Sequence, residues 1–589
     1  MAASGNDRSH PQDGELRRAS AACGSAFRHA GAFSLVVNVL LLAPSLYMLA
    51  VYDRVLAAGS ADTLLMLTLI VAYVFAIMGG LEWARGRLLV AASQRFEHLL
   101  GSRVFQAVFE RALASDGRVA SARPLDDLRE LRQFLTGQAL FACFDAPWLP
   151  IYLAVLFLFH PWFGLAGTAC AVILVAAALA NEAVTRHDLA AANREALEAA
   201  QYTQRNLRNA EAIAVMGMLP RVEERWGRRQ QAMLAAQTRA SARAGAVAAF
   251  VKTFRMLVQS LALGLGAWLA LRREISPGMV IAGSILLGRA LAPIDLLVAG
   301  WRGFGAAREA WRRLDELLAA VPAARTPMPL PAPAGHLALE DVVVAPDEAG
   351  PPILKGVSLE IAAGTCCAII GASGAGKSTL LRTLLGLHVP ARGSVRLDGA
   401  DLATWDRAAL GDHLGYVPQD VELLDGTIAE NIARFGTVDA DRVVAAAQAA
   451  GVHDLILRFP RGYDTPLVAG ATNLSAGQQQ RIAIARALYG EPAILALDEP
   501  NSNLDDAGEQ ALMATLLKTK RAGRTVVLVT HRPQLLNVAD RIAVLADGRI
   551  ALEGTREAVR AALTERMAQL RGGNGRLAGA PAPVEKVRA

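Results

Sequence analysis

Ala32–Tyr52 runs for 21 residues without a charge, and Thr63–Leu81 for another 19. At about 1.5 Å of rise per helical residue, each is long enough to cross a hydrocarbon core about 30 Å thick. Four more apolar stretches follow, at about Ala146–Phe159, Trp162–Ala180, Met256–Leu271 and Pro277–Gly300. Six such segments predict a bundle of membrane-spanning helices. The first is too long for the apolar region of a signal peptide, and no small-residue cleavage site separates it from the second. The fifth is expected to begin near Ala244, with Lys252 and Arg255 snorkelling at its cytoplasmic end.

Charge sets the orientation. Of the 589 residues 53% are apolar and 19% charged, with a net charge of +6; a soluble protein carries about 25% charged residues. Residues 1–335 hold 34 Lys+Arg against 25 Asp+Glu (+9), and residues 336–589 hold 26 against 29 (−3). Glu82–Gln138 contains nine arginines and Asn181–Arg243 ten, whereas Asp53–Asp62 has one and the His160-Pro161 turn none. The arginine-rich loops are therefore cytoplasmic, although Arg272 and Arg273 on the outer side are a weak opposing signal. Their Ala, Leu, Glu and Arg content favours helix, so the membrane helices are expected to run well into the cytoplasm. Topology explains the basic balance, and no nucleic-acid partner is expected.

Five cysteines without a CxxC or Cys/His cluster exclude a disulfide framework and a zinc finger. Cys143, Cys170, Cys366 and Cys367 read as small packing residues. Asp145, Arg289 and Asp295 fall in or near spans, where ionisable groups are costly and often functional. Here Asp145 is expected at the cytoplasmic edge, ahead of Pro147-Trp148, and the other two near the inner end of the sixth span. The organisation that follows is a cytoplasmic segment (1–31), a membrane domain (32–320), a proline-rich linker (321–335), a nucleotide domain (336–565) and a disordered tail (566–589).

The second half carries the chemistry. Thr365–Ile370 reads as a buried strand, followed by GASGAGKST from Gly371 to Thr379 and then a helical LLRTLLGL. Strand, glycine-rich turn and helix form the context in which GxxxxGK[ST] binds phosphate. Gly371, Ser373, Gly374, Ala375, Gly376 and Thr379 are expected to wrap ATP phosphates with backbone N–H groups at a helix N-terminus. Lys377 reaches the β- and γ-phosphates, and Ser378 ligates Mg²⁺. Ile494–Leu497 reads as a strand ending at Asp498, the expected Mg²⁺ partner, followed by Glu499 as general base for the attacking water. His531, after the strand Thr525–Thr530, is placed to hydrogen-bond the γ-phosphate.

Leu474–Arg481, LSAGQQQR, lies about 100 residues after the phosphate loop, and its LSxGQ core is specific to ABC ATPases. With the phosphate loop and Asp498-Glu499 it makes the chain resemble an ABC exporter half-transporter. The fold implied is a six-span membrane α-helical domain followed by an α/β P-loop NTPase domain. The resemblance implies that Ser475, Gly477 and Gln478 bind the γ-phosphate of ATP held by a second subunit, with Ala476 in place of the usual glycine. It also implies that Gln419, in YVPQD, is the Q-loop residue that contacts Mg²⁺ and links the site to the membrane helices. Asp505, in SNLD, would lie at the dimer interface. One nucleotide domain and six spans imply a homodimer, with a close heterodimer left open.

Further strings narrow the resemblance. LYMLAVYDRVLAAGSADTLLMLT, FDAPWLPIYLAVLFLFHPWFG, NAEAIAVMGML, GRALAPID and DEPNSNLD are similar to the type I secretion permease/ATPases, nearest the PrtD-like branch. The likeness covers about residues 30–565. It implies a bacterial inner-membrane ATPase working with membrane lipid around it, a periplasmic membrane-fusion adaptor and an outer-membrane channel. The cargo implied is an unfolded secreted protein with a C-terminal signal. Two features depart from the family. Val342–Pro346 lacks the aromatic that stacks on adenine, and Ala469 stands where a coupling glutamate is usual. Export of lipid, peptide or a small molecule is the alternative, since fold does not fix cargo. A non-transporting scaffold fits less well with Lys377, Asp498, Glu499 and His531 all in place. A peptide exporter with a fused peptidase is disfavoured, because about 31 residues precede the first span.

Overall fold

The computed structural model describes residues 14–115, 121–207, 209–322, 330–345, 350–467, 474–572 and 585–586. Pro346 and Ala469 lie outside them. The chain divides into two compact units, one of Met1–Ala112 and Val119–Ala323, the other of Leu113–Arg118 and Ala324–Ala589.

The first unit is helical, and six of its segments are long and apolar enough to cross a membrane. The first span is segmented: Gly24–Leu40, Ala43–Ala50, a π-turn at Val51–Val55 and Leu56–Ala58, ended by Gly59 in the left-handed region. The π-turn aims Asp53 at the start of the sixth helix, where its carboxylate accepts from Gly278 N at 2.8 Å and from the Ser276 hydroxyl. An acidic group there satisfies helix N-terminal donors that lipid could not. The third span is broken at Pro147 into Gln138–Asp145, a 3₁₀ turn Ala146–Trp148 and Leu149–Phe159. The others are single long helices: Ala61–Ala114, Pro161–Leu207, Leu219–Leu271 and Pro277–Ala320, of 54, 47, 53 and 44 residues. At about 1.5 Å per residue they measure about 65–80 Å, more than twice the hydrocarbon thickness. They extend far past the membrane, as their Ala/Leu/Glu/Arg composition predicts.

The N-terminal segment holds a helix that apolar run length did not reveal. Glu15–Ala22 buries Leu16 and Ala19, and with Cys23 they pack among Phe96, Leu100 and Val104 of the helix Ala61–Ala114 and Ala310 and Leu314 of Pro277–Ala320. Glu15 pairs with Arg103 at 2.9 Å. The i, i+3, i+7 spacing of Leu16, Ala19 and Cys23 was the available signal.

The second unit is built on two sheets. Strands Leu337–Val344, Leu354–Ile361, Arg392–Leu397 and Ala400–Asp401 form an antiparallel sheet. The larger sheet centres on Cys366–Gly371, flanked in parallel by Thr525–Val529 and Arg541–Ala546. Ile494–Asp498 pairs in parallel with Thr525–Val529, and Leu414–Val417 with Ile494–Asp498. Arg549–Thr555 adds an antiparallel strand beside Arg541–Ala546, with the two-residue strand Glu585–Lys586 outside it. The central strands are continuous apolar runs because both faces are covered. One core packs Leu380, Leu381 and Leu384 against Ile369, Val527 and Val529. The other packs Ile482, Ile484 and Ala485 against Val526, Leu528 and Leu495.

Cys366 and Cys367 are fully buried in the central strand, and burial pushes both thiols up to about 12. The thiolate is the reactive form, so its population at neutral pH falls about a thousandfold below that of a free cysteine. A maleimide at neutral pH is expected to label neither cysteine in the folded protein and both after denaturation, read by mass spectrometry of the peptides.

Candidate ATP site

Four parallel strands deliver their carboxyl ends to one edge of the sheet, the edge where α/β sheets bind ligands. The register pairs Val529 with Ile369 on one side and with Asp498 on the other, and Val417 with Leu497. Gly371, Asp498-Glu499, His531 and Gln419 follow those strand ends and therefore converge, although up to 160 residues separate them in sequence.

The phosphate loop folds as its glycines require. Gly374 and Gly376 have φ of +79° and +99°, which side chains disfavour. A Cβ on Gly371 would meet Leu545 O at 2.2 Å. Ala372, Ser373 and Gly374 are exposed at the rim, and Ala375 is buried beneath them. The helix Lys377–Leu384 starts directly after Gly376, with Ser378 and Thr379 in its first turn. Lys377 Nζ lies back over the loop, donating to Gly371 O at 3.1 Å and Ala372 O at 3.0 Å. Its charge thus sits in the concavity that phosphate oxygens would enter.

Asp498 is completely buried, and neither carboxylate oxygen has a hydrogen-bond partner among the described residues. Burial raises its pKa above the usual carboxylate range. The charges of Arg382 and Lys377 partly offset that, and the neighbouring Glu499 adds to it. A buried, orphaned carboxylate facing a serine hydroxyl is a donor set suited to a hard divalent cation.

Glu499 has φ of +47°, unusual for a side-chain-bearing residue, and its N–H donates to Val529 O at 2.9 Å. Strain of this kind gathers at functional sites. Gln419 Nε2 donates to Glu499 Oε2 at 3.3 Å, and His531 Nδ1 stands 3.6 Å from Oε1. The Glu499 side chain is 20% exposed and that of His531 63%. The arrangement holds one carboxylate oxygen by a hydrogen bond and places an imidazole near the other.

Ser475 to Gln478 and Asp505 form a separate cluster. Ser475 caps the helix Ala476–Leu488 in a reciprocal box: Gln478 N donates to Ser475 Oγ at 3.3 Å, and Ser475 N to Gln478 Oε1 at 2.9 Å. Gly477 passes so close to Asn503 that a Cβ would lie 2.6 Å from its carbonyl oxygen. The buried Gln480 donates to Pro500 O at 3.1 Å, and Arg481 pairs with Asp505, which caps the helix Asp506–Arg521 through Gly508 N at 2.9 Å. The Gly508 N–H and Arg481 hold the Asp505 carboxyl below its usual range. No hydrogen bond joins Ser475, Gly477 or Gln478 to the phosphate loop among the described residues; their contacts are with each other and with residues 500–505. The Gln480 and Arg481 ties to residues 500–505 were missed from sequence, since nothing local announces them.

Residues 29–291 match the ABC transporter transmembrane region, and residues 354–502 the ABC transporter ATPase model. The type I secretion system ATP-binding protein PrsD of Rhizobium meliloti is 43% identical over 542 residues, covering 91% of this chain and 92% of that one. The chain belongs to the ABC transporter family, in its type I secretion branch. The leukotoxin translocation ATP-binding protein LktB of Mannheimia haemolytica is 31% identical over 530 residues, covering 88% of this transporter and 74% of LktB. A solved bacterial Atm1-family ABC exporter with ATP bound superposes with a TM-score of 0.79 at 25% identity, covering 95% of this chain and 99% of that one. The transporter is thus a multi-pass membrane protein with an ATP-hydrolysing domain.

Proposed function

We infer that this transporter exports unfolded polypeptide across a bacterial inner membrane, driven by ATP hydrolysis, as the ABC component of a type I secretion system. The observation that carries the cargo class is the likeness to PrsD, which runs through both halves of the chain rather than the ATPase alone. The export unit is a homodimer, because one ATPase region and one six-span region per chain make half of an exporter, and Ser475, Gly477, Gln478 and Asp505 act in it on ATP held by the second copy. A periplasmic adaptor, an outer-membrane channel and a cargo with a C-terminal signal complete the assembly. Residues 32–320 form its membrane domain and 336–565 its nucleotide domain, joined by the linker 321–335.

In this reading the loop from Gly371 to Thr379 cradles the phosphates, and Lys377 offsets charge that builds on the β- and γ-oxygens. Asp498, Ser378 and Gln419 would hold Mg²⁺, which when bound draws charge from the same oxygens. Glu499 takes the proton of the attacking water. Gln419 fixes one of its oxygens, and His531, 3.6 Å from the other, would hydrogen-bond the γ-phosphate.

Purified transporter in proteoliposomes tests the cargo. An unfolded polypeptide ending in a type I secretion signal is expected to change ATPase turnover, and the same polypeptide without that signal to have little effect. Turnover that responds to added lipid and to neither polypeptide would replace protein export with the lipid-exporter alternative.

A further inference from the structure

Between Gly278 and Asp295 every residue of the sixth helix is buried or half-buried except Arg289, which is exposed. Its neighbours Leu286, Leu287, Ala290 and Leu291 are at most 1% exposed. No hydrogen bond or ion pair engages the Arg289 guanidinium among the described residues. The apolar stretch Pro277–Gly300 puts Arg289 about 18 Å of helical rise from one end and about 16 Å from the other, in mid-span rather than at the inner end expected for it. Both distances exceed what a snorkelling side chain covers. A bare guanidinium at that depth belongs in a water-filled cavity, not against lipid tails.

The adjoining wall is polar. Gln259, exposed on the fifth helix, lies beside Gly288, its Nε2 3.5 Å from where a Cβ would stand. One turn along, Arg255 Nη1 donates to Asp295 Oδ2 at 2.5 Å. Arg255 Nε and Asp295 Oδ1 are buried there without partners. Arg255 and Asp295 cancel each other's charge. Arg289, on a different face of the helix, has no such partner among the described residues.

We propose that Arg289 is a cargo contact in the translocation path that engages carboxylates of acidic segments in the exported chain. Guanidinium and carboxylate pair through two parallel hydrogen bonds, and the high hydration of an open path keeps each pairing weak enough to release. The proposal rests on the protein-export reading and deepens it by naming a cargo chemistry. Neutral segments would pass this point without a partner.

The test uses full-length transporter in proteoliposomes of zwitterionic lipid and two unfolded polypeptides with the same secretion signal. They differ only in that one has Asp and Glu replaced by Asn and Gln ahead of the signal. Half-maximal ATPase stimulation is expected at about tenfold lower concentration for the acidic polypeptide, the scale of one charge-assisted hydrogen bond. Arg289→Gln should erase that difference and Arg289→Lys keep most of it, with basal ATPase unchanged in both as the check on folding. A preference that survives Arg289→Gln overturns the proposal. So does an Arg289→Gln defect that follows the phosphatidylglycerol content of the vesicle instead of the polypeptide's charge, which would make Arg289 a lipid contact. If wild-type transporter responds equally to both polypeptides, export stands and this contact falls. If it responds to neither, the export reading falls and takes the contact with it.

Discussion

Glu499→Gln is expected to cut ATP turnover by about 10²–10⁴-fold, the usual scale for removing a positioned general base, while leaving ATP binding intact. The substitution keeps the side chain's length and planarity, so the left-handed turn after the strand Ile494–Asp498 and the Glu499 N–H bond to Val529 O survive. What disappears is an oxygen basic enough to take a proton. Gln419 still has an amide oxygen to donate to, but His531, 3.6 Å away in the wild type, loses its charged neighbour. Steady-state phosphate release and equilibrium binding of a labelled nucleotide separate the two effects. A fall of less than tenfold would move the proton acceptor elsewhere, with His531 next to examine. A parallel loss of nucleotide binding would show Glu499 to be part of the cradle rather than the base.

The parts of the candidate nucleotide site stood out in the sequence because they are local and chemically distinctive. Gly371 to Thr379 needs glycine where φ is positive and a lysine at a fixed offset, and those demands are written in consecutive residues. Asp498 and Glu499 follow a run of buried β-type residues, so the strand end could be placed within one residue. The six spans were legible for a comparable reason, since lipid tolerates only long apolar helices. Pairings across distance were not legible. Gln419 reaches Glu499 over 80 positions, and Arg481 reaches Asp505 over 24, because the sheet register and the packing of two helices bring them together. The amphipathic helix Glu15–Ala22 escaped because eight residues burying two apolar side chains, Leu16 and Ala19, give too short a period to stand out beside 19- and 21-residue apolar runs.

Asp145 gives the sharpest case of a residue whose meaning lay in its partners. Taken alone it is an acidic residue at the membrane edge. In the fold its Oδ1 accepts from Arg85 Nη1 at 3.0 Å and from Asn38 Nδ2 at 2.9 Å. Arg85 also donates to Ser34 Oγ at 2.6 Å and lies 4.6 Å above the Phe141 ring, while the Tyr152 hydroxyl donates to Asn38 at 2.8 and 3.0 Å. Ser34, Asn38 and Tyr152 are at most 2% exposed, so the first, second and third spans are fastened by a dry polar network. Asp145→Ala would strand the Arg85 charge in that site, and breaking a buried pair from one side costs about 3–5 kcal/mol. The single variant is expected to lose most of its folded yield and to melt far below wild type when followed by tryptophan fluorescence in detergent. Arg85→Met with Asp145→Leu removes both charges and should recover much of the loss, because the desolvation penalty disappears with them. Recovery in the double variant with ATPase restored would make the pair a fastening. Recovery of stability without recovery of polypeptide-stimulated turnover would mean that the charges themselves move during transport.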